Sequence, residues 1–131
     1  LFCLSEVRLG LTPATISPYV IEAIGPRESR RYFLTAERFD ANQAKFMGLA
    51  SEVTSGDLID EQIDFLIKQL LAGGPIAQSD AKALIQTVAS ENDIERRKTY
   101  TVDLIARQRV SSEGQKGLSA FLNKNKPEWT S

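Results

Sequence analysis

Residues 2–11 read Phe2-Cys3-Leu4-Ser5-Glu6-Val7-Arg8-Leu9-Gly10-Leu11 and place a glutamate inside a run rich in apolar side chains. Residues 1–9 are of types compatible with β structure and the run ends at Gly10, so the pattern predicts a short buried strand. A lone strand leaves its backbone donors and acceptors unpaired. We therefore expect this strand to join a sheet formed by other residues.

The residues that follow have the pattern of a helical protein. Pro13, Pro18 and Pro26 each mark the start of a helix or a break in one. Proline is tolerated in the first turn of a helix and disfavours helical backbone in the residue before it. Asp40, followed three residues later by Gln43, predicts a capped helix.

Glycine and apolar periodicity set the remaining boundaries. The helix after Asp40 should end near Gly48, and a short strand is expected at 49–53. Further helices are predicted at residues 57–72, 75–88, 93–110 and 111–123. The predicted fold class is mainly α with a short β portion.

Composition narrows the classes of function. The chain has 131 residues, of which 42% are apolar and 25% charged, and its net charge is −1. This balance is typical of a soluble domain and provides no basic field for nucleic acid or anionic lipid. No apolar run approaches the roughly 18 residues that a membrane span requires. The single cysteine, Cys3, favours a reducing cytoplasmic setting and an inert position in the core.

The chain has no histidine. Within these residues, this excludes a Ser-His-Asp triad, a Cys-His pair and an imidazole metal ligand. General acid or base chemistry must then come from Asp, Glu, Lys or Tyr.

Glu6 is the candidate for that chemistry. A carboxyl group held in apolar surroundings keeps its proton more readily and can transfer it near neutral pH. The alternative is a structural ion pair between Glu6 and Arg8 or another arginine, which is the commoner role of such carboxylates.

An arginine cluster stands at the start of the helix that follows Pro26. Arg27, Arg30 and Arg31 could bind a phosphate or a carboxylate. A solvated helix face that includes Glu28 is the favoured interpretation.

The C-terminal residues combine basic and aromatic side chains, with Lys124 and Lys126 near Phe121 and Trp129. Lysine offers a point charge to a phosphate, and an aromatic ring can pack against a purine. A solvated helix end explains the same residues equally well.

Several segments, taken in order, resemble the crotonase (enoyl-CoA hydratase/isomerase) family. In that family a strand delivers a glutamate just before a glycine turn, as in residues 2–11. The similarity continues through the "leu-thr-gly" stretch, the "ala-x-x-ala-x-x-x-gly-leu-val" element and the C-terminal helix. The corresponding residues here are Tyr32-Phe33-Leu34-Thr35-Ala36-Glu37-Arg38-Phe39, 40–49 and 117–127.

The resemblance implies the C-terminal half of a crotonase-like spiral of strands and helices. Residues 1–72 would belong to the spiral core and residues 73–131 to a helical region that builds trimers or hexamers. The N-terminal half would have to come from outside these residues. It would supply both N–H donors of the oxyanion hole, the first glutamate and most of the coenzyme A site, so the chain alone should be inactive.

The resemblance also implies roles for individual residues. Glu6 matches the second catalytic glutamate of the hydratases, which protonates the α-carbon. Phe121 and Lys124 match the aromatic residue and the lysine that reach the nucleotide portion of coenzyme A. No cofactor is implied, because coenzyme A is part of the acyl-CoA substrate.

One segment departs from the common hydratase pattern. Typical members have "pro-gly-x-gly-gly-thr-gln-arg-leu" after the glycine turn, whereas this chain has Pro13-Ala14-Thr15-Ile16-Ser17-Pro18-Tyr19-Val20. That variant resembles the branch of methylglutaconyl-CoA and carboxygeranoyl-CoA hydratases. The implied reaction is addition of water to an enoyl-CoA. A double-bond isomerase and a non-catalytic oligomerisation module are the alternatives.

Overall fold

The computed structural model describes residues 1–130, and these residues are mainly helical. Its α-helices are α1 (Ser17–Thr35), α2 (Ala41–Met47), α3 (Ile59–Leu71), α4 (Pro75–Ser90), α5 (Ile94–Val110) and α6 (Ser112–Leu122). Short 3-10 helices occupy Glu6–Leu9, Gly56–Leu58 and Glu128–Thr130. The chain forms two compact units, of which the first comprises Leu1–Ile59 and the second begins at Asp60.

Both predicted strands are wrong. In the first, β pairing is limited to one antiparallel bridge between Phe2 and Phe39, and the chain turns into a 3-10 helix at Glu6. We call Glu6–Leu9 the Glu6 turn. In the second, the N–H groups of Leu49 and Ala50 both donate to the carbonyl oxygen of Ala44, at 2.9 and 3.2 Å. Residues 49–50 thus wrap around the end of α2 and have no partner strand among residues 1–130.

Helix α1 begins later than Pro13 and bends in the middle. Its first residue is Ser17, and Pro18 occupies the first turn, so the predicted entry at Pro13 is wrong and the predicted start at Pro18 is confirmed. Gly25, at φ 73° and ψ 167°, interrupts the helical backbone before Pro26. The predicted break at Gly25–Pro26 is therefore a kink within one longer element.

The core of the first unit lies between α1 and the segment that leads into α2. Its buried side chains are Val20, Ile24, Tyr32, Phe39 and Ala44. The rings of Tyr32 and Phe39 meet at 4.6 Å between centroids, and Phe39 also stacks on Phe2 at 5.3 Å. Burial of such aromatic pairs is the main stabilising term for a small core.

Three further predictions concern this unit. The Asp40 cap is confirmed, because its carboxylate accepts a hydrogen bond from the Gln43 N–H at 2.8 Å. Gly48 ends α2 in the left-handed conformation, at φ 89°, as predicted. The core position expected for Cys3 is wrong, since its thiol is exposed beside the Phe2–Phe39 bridge.

Helices α4, α5 and α6 pack against one another in the second unit, where Leu104 is buried. The predicted starts of the last two helices, near residues 93 and 111, are confirmed. Asp93 caps α5 by accepting a hydrogen bond from Glu95 N–H at 2.9 Å, and Ser111 caps α6 by accepting one from Gly114 N–H at 3.0 Å. The last residues return to α3, because Trp129 Nε1–H donates to the Ala72 carbonyl at 3.2 Å.

Candidate active site

The Glu6 turn presents a carboxylate that has no partner of its own. Glu6 is half-buried, and its Oε2 atom is enclosed without a hydrogen-bond partner in the structure. Most buried polar atoms in proteins are hydrogen-bonded, so an orphan oxygen is a candidate for binding or chemistry. Within residues 1–130, Glu6 takes part in no salt bridge.

Backbone hydrogen bonds within the turn fix the position of the Glu6 main chain, from which the side chain extends. Gly10 closes the turn in the left-handed conformation, at φ 72°, and its N–H donates to the carbonyl oxygens of Glu6 and Val7. Leu11 N–H donates to the Glu6 carbonyl at 3.0 Å. Glycine is favoured at such a closing position because it has no Cβ to clash.

Arg8 does not pair with Glu6. Its guanidinium instead donates to the carbonyl oxygen of Ala36 at 3.0 Å. The Cys3 thiol donates to the same oxygen, at 3.4 Å. Glu6 and Arg8 therefore do not form the ion pair that was the structural alternative for Glu6.

The arginine cluster has a different partner from the one expected. Arg31 makes two hydrogen bonds to Glu37, at 2.9 and 2.8 Å, and its guanidinium lies 5.2 Å from the centroid of the Tyr32 ring. The hydrogen bond from Arg31 lowers the pKa of Glu37, and the same bond raises the pKa of Arg31. Arg27 and Arg30 are exposed. Arg31 thus pairs with a carboxylate of its own chain on an exposed surface, as expected of a solvated helix face.

Phe121 and Lys124 lie together at the C-terminal end of α6 in the second unit. Phe121 is 79% exposed. Lys124 has a left-handed backbone, at φ 56°, and its N–H donates to the Phe121 carbonyl at 3.1 Å. Asn125 N–H donates to the Ala120 carbonyl at 2.8 Å, which completes a Schellman motif with Lys124 at its left-handed position.

A cleft of about 530 Å³ lies beside this helix end. An ion pair between Lys116 and Glu128, at 2.6 Å, joins α6 to the tail along it. The residues that line the cleft include Ser119, Asn123, Asn125 and Lys126.

Residues 1–130 contain neither a cluster of metal-ligating side chains nor a helix able to span a membrane. No three Cys, Asp or Glu side chains gather in the way a metal site requires. None of the helices combines the length and the apolar character needed to cross a bilayer.

The sequence of the chain matches one known protein family over its full length. The model of the enoyl-CoA hydratase/isomerase family matches residues 1–131. The chain belongs to this family. Solved members of the family share its fold and much of its sequence. An enoyl-CoA hydratase from Shewanella pealeana is 44% identical, with a TM-score of 0.91, over 98% of this chain and 48% of that one.

Two other relatives extend the comparison. An enoyl-CoA hydratase/isomerase from Marinobacter aquaeolei is 29% identical with a TM-score of 0.93, over 99% of this chain and 49% of that one. The 2,3-dehydroadipyl-CoA hydratase of Escherichia coli is 30% identical over 98% of this chain and 50% of its own length. This chain thus spans about half the length of these members of the enoyl-CoA hydratase/isomerase family.

Proposed function

We propose that this chain is the C-terminal half of a crotonase-type enoyl-CoA hydratase, which adds water in the syn sense to an α,β-unsaturated acyl-CoA. The observation that carries the proposal is the enclosed, unpartnered Oε2 atom of Glu6. Family membership and the relatives named as hydratases support the same reaction.

In this proposal Glu6 donates a proton to the α-carbon of the thioester as water adds to the β-carbon. A well-placed acid contributes about 10²–10⁴-fold to the rate. The N-terminal half would supply the glutamate that deprotonates the water. It would also supply two backbone N–H donors to the thioester oxygen, of which one is typically worth about 3 kcal/mol. Residues 1–131 without that half are then expected to be inactive.

Phe121 and Lys124 are proposed to contact the nucleotide portion of coenzyme A. Lys124 extends from a left-handed position where glycine is the usual residue, which supports a requirement for its side chain. The exposed Phe121 ring provides an apolar surface for a purine.

The remaining features of the proposal rest on the resemblance. Residues 73–131 would build a trimer or a hexamer, and residues 1–72 would complete the spiral core. The Pro13–Val20 segment favours a methylglutaconyl-CoA-like or carboxygeranoyl-CoA-like substrate. Coenzyme A enters as part of the substrate, and the enzyme would act in the cytoplasm.

The test uses the intact enzyme, meaning residues 1–131 together with the N-terminal half, joined to it or supplied as a second chain. Glu6→Gln should lower kcat for crotonyl-CoA hydration by about 10²–10⁴-fold. KM should change little, because the proton is needed only in the transition state. Glu22→Gln, an exposed carboxylate of α1, serves as the matched control.

Near-full hydratase activity of Glu6→Gln would remove Glu6 from the mechanism. A 3-enoyl-CoA assayed in parallel separates the reaction types. Conversion of the 3-enoyl-CoA with no hydration of crotonyl-CoA would replace the hydratase by an isomerase. If neither substrate reacts, the oligomerisation module remains.

A further inference from the structure

We propose that Arg8 is a positioning residue for Glu6, and that it acts by tying the Glu6 turn to the C-terminal end of α1. The proposal rests on the hydratase function above. It assigns a role to a residue that the sequence offered only as an ion-pair partner.

Within residues 1–130, no other side chain holds the Glu6 carboxylate by a hydrogen bond or an ion pair. Its Oε2 atom has no hydrogen-bond partner, and it forms no salt bridge within residues 1–130. The backbone of the Glu6 turn therefore fixes the point from which the carboxylate side chain extends, and no polar contact further along the side chain corrects its direction. Anything that holds this four-residue turn in place also aims the carboxylate.

Arg8 supplies the side-chain link that holds the turn. It lies two residues after Glu6 in the same 3-10 helix and reaches across to the Ala36 carbonyl at 3.0 Å. A hydrogen bond from a charged donor is stronger than a neutral one and is directional. The second donor to that oxygen, the Cys3 thiol at 3.4 Å, is intrinsically weak.

The anchor at Ala36 is itself buried and hydrogen-bonded. Ala36 is fully buried and adopts the left-handed conformation at φ 50°, where its N–H donates to the Tyr32 carbonyl at 3.1 Å. Tyr32 is 2% exposed and belongs to the core of the first unit. The link from Arg8 thus connects the Glu6 turn to the best-packed part of that unit.

The remaining attachments flank the turn. On one side, Phe2 and Phe39 exchange two backbone hydrogen bonds, at 2.8 and 3.1 Å. On the other side, Gly10 closes the turn by bonds to the turn's own carbonyls. Without Arg8, the turn keeps its ends and its packing against α1 but loses the charged hydrogen bond to the C-terminal end of that helix.

The test is a double-mutant cycle in the intact enzyme, made of Arg8→Ala, Glu6→Gln and the two together. Arg8→Ala should lower kcat for crotonyl-CoA by about 10–100-fold, the scale that a displacement near 1 Å can cost. KM should change less than twofold, because coenzyme A contacts are untouched. On the Glu6→Gln background, Arg8→Ala should lower kcat no further, since Arg8 acts through Glu6.

Two additional variants guard against simple loss of folding. Arg8→Lys should recover part of kcat, because a cationic donor remains. Arg30→Ala, which removes the same charge from an exposed position of α1, should leave kcat unchanged. Equal losses of kcat in the wild-type and Glu6→Gln backgrounds would overturn the proposal, as would an Arg8→Ala enzyme with normal kcat.

Amide hydrogen exchange separates this proposal from the hydratase function. Exchange in residues 5–11 should accelerate at least tenfold in Arg8→Ala but not in Arg30→Ala. Should the wild-type enzyme hydrate nothing while this acceleration is seen, the hydratase function fails and the link holds. An unchanged exchange rate in an active enzyme would reject the link alone.

Discussion

Lys124 combines a backbone position that suits glycine with a side chain proposed to bind coenzyme A. It occupies the left-handed position of the Schellman motif that ends α6, at φ 56°. A left-handed backbone costs a residue with a Cβ roughly 1–2 kcal/mol. A role for the amine in binding substrate would account for a lysine at a position where glycine has the lower backbone cost.

The two roles of Lys124 can be separated by substitution. Lys124→Gly should raise the free energy of unfolding by about 1 kcal/mol, because the backbone strain is removed. The same variant should raise KM for crotonyl-CoA in the intact enzyme roughly tenfold, since a hydrogen bond to a charged group contributes about 1.5–3 kcal/mol. Lys124→Ala should raise KM equally without the gain in stability. If KM stays at the wild-type value in both variants, Lys124 does not bind the substrate.

Arg31 and Glu37 make stability depend on pH. The hydrogen bond from Arg31 lowers the pKa of Glu37 in the folded chain. A lowered pKa contributes stability above the ordinary carboxyl value of about 4.3, and this contribution is lost as the pH falls through the lowered value. Both side chains are substantially exposed, so the effect should be small.

Urea unfolding between pH 7 and pH 2.5 measures this contribution. Wild type should be more stable than Glu37→Gln at pH 7, and the difference should shrink as the pH falls below about 4.3. Arg31→Met should remove the same pH-dependent part, and 1 M salt should weaken it. A difference that stays constant down to pH 2.5 would show that Glu37 acts through packing instead.

At the scale of elements, the kink in α1 depends on one glycine. Gly25 has φ 73° and ψ 167°, a region of backbone space open almost only to glycine. A Cβ placed on Gly25 would have no heavy atom within 4 Å. The backbone conformation, and not the available space, is therefore what excludes other residues.

Gly25→Ala tests this distinction. The variant should lose about 1–3 kcal/mol of unfolding free energy, because alanine must enter a strained conformation. Gly56→Ala is the matched control, since a Cβ there also meets nothing within 4 Å and its φ is not positive. That control should stay within about 0.5 kcal/mol of wild type in chemical unfolding. Equal losses in both variants would mean that general helix or turn effects explain the result.

Local signals made most helices predictable from the sequence. Asp40, Asp93 and Ser111 each cap the helix that directly follows, so a few neighbouring residues hold the information. Helix α4 differs, because its first N–H groups are capped by the carboxylate of Glu113. That carboxylate accepts from Ile76 at 3.0 Å and from Ala77 at 2.8 Å, across 37 and 36 residues of sequence.

A long separation along the sequence also explains why the contacts around Glu6 were not predicted. Glu6 could be singled out because a carboxylate in an apolar run is a local feature. The link from Arg8 to Ala36 spans 28 residues and ends on a backbone carbonyl, which no side-chain pattern encodes. The strand predicted at residues 1–9 does not form. Its apolar composition suits a strand, but residues 1–130 provide no neighbouring strand with which it could pair.

At the scale of the molecule, many large apolar side chains remain uncovered in the described residues. In the second unit, Val102 and Ile105 of α5 are 56% and 55% exposed, one helical turn apart. Exposed apolar residues at this spacing form a stripe on one side of a helix. Such stripes are expected if residues 73–131 build an assembly, as the family resemblance implies.

Sedimentation equilibrium of the intact enzyme tests that assembly. Wild type should sediment as a trimer or a hexamer, and Val102→Asp with Ile105→Asp should dissociate it, because two carboxylates would be buried without partners. Asp103→Asn also changes charge on α5 but leaves the stripe intact, so it should sediment as wild type. Circular dichroism should show normal helix content in all three proteins. A monomeric wild type, or a double variant that keeps its assembly state, would remove this face of α5 from the interface.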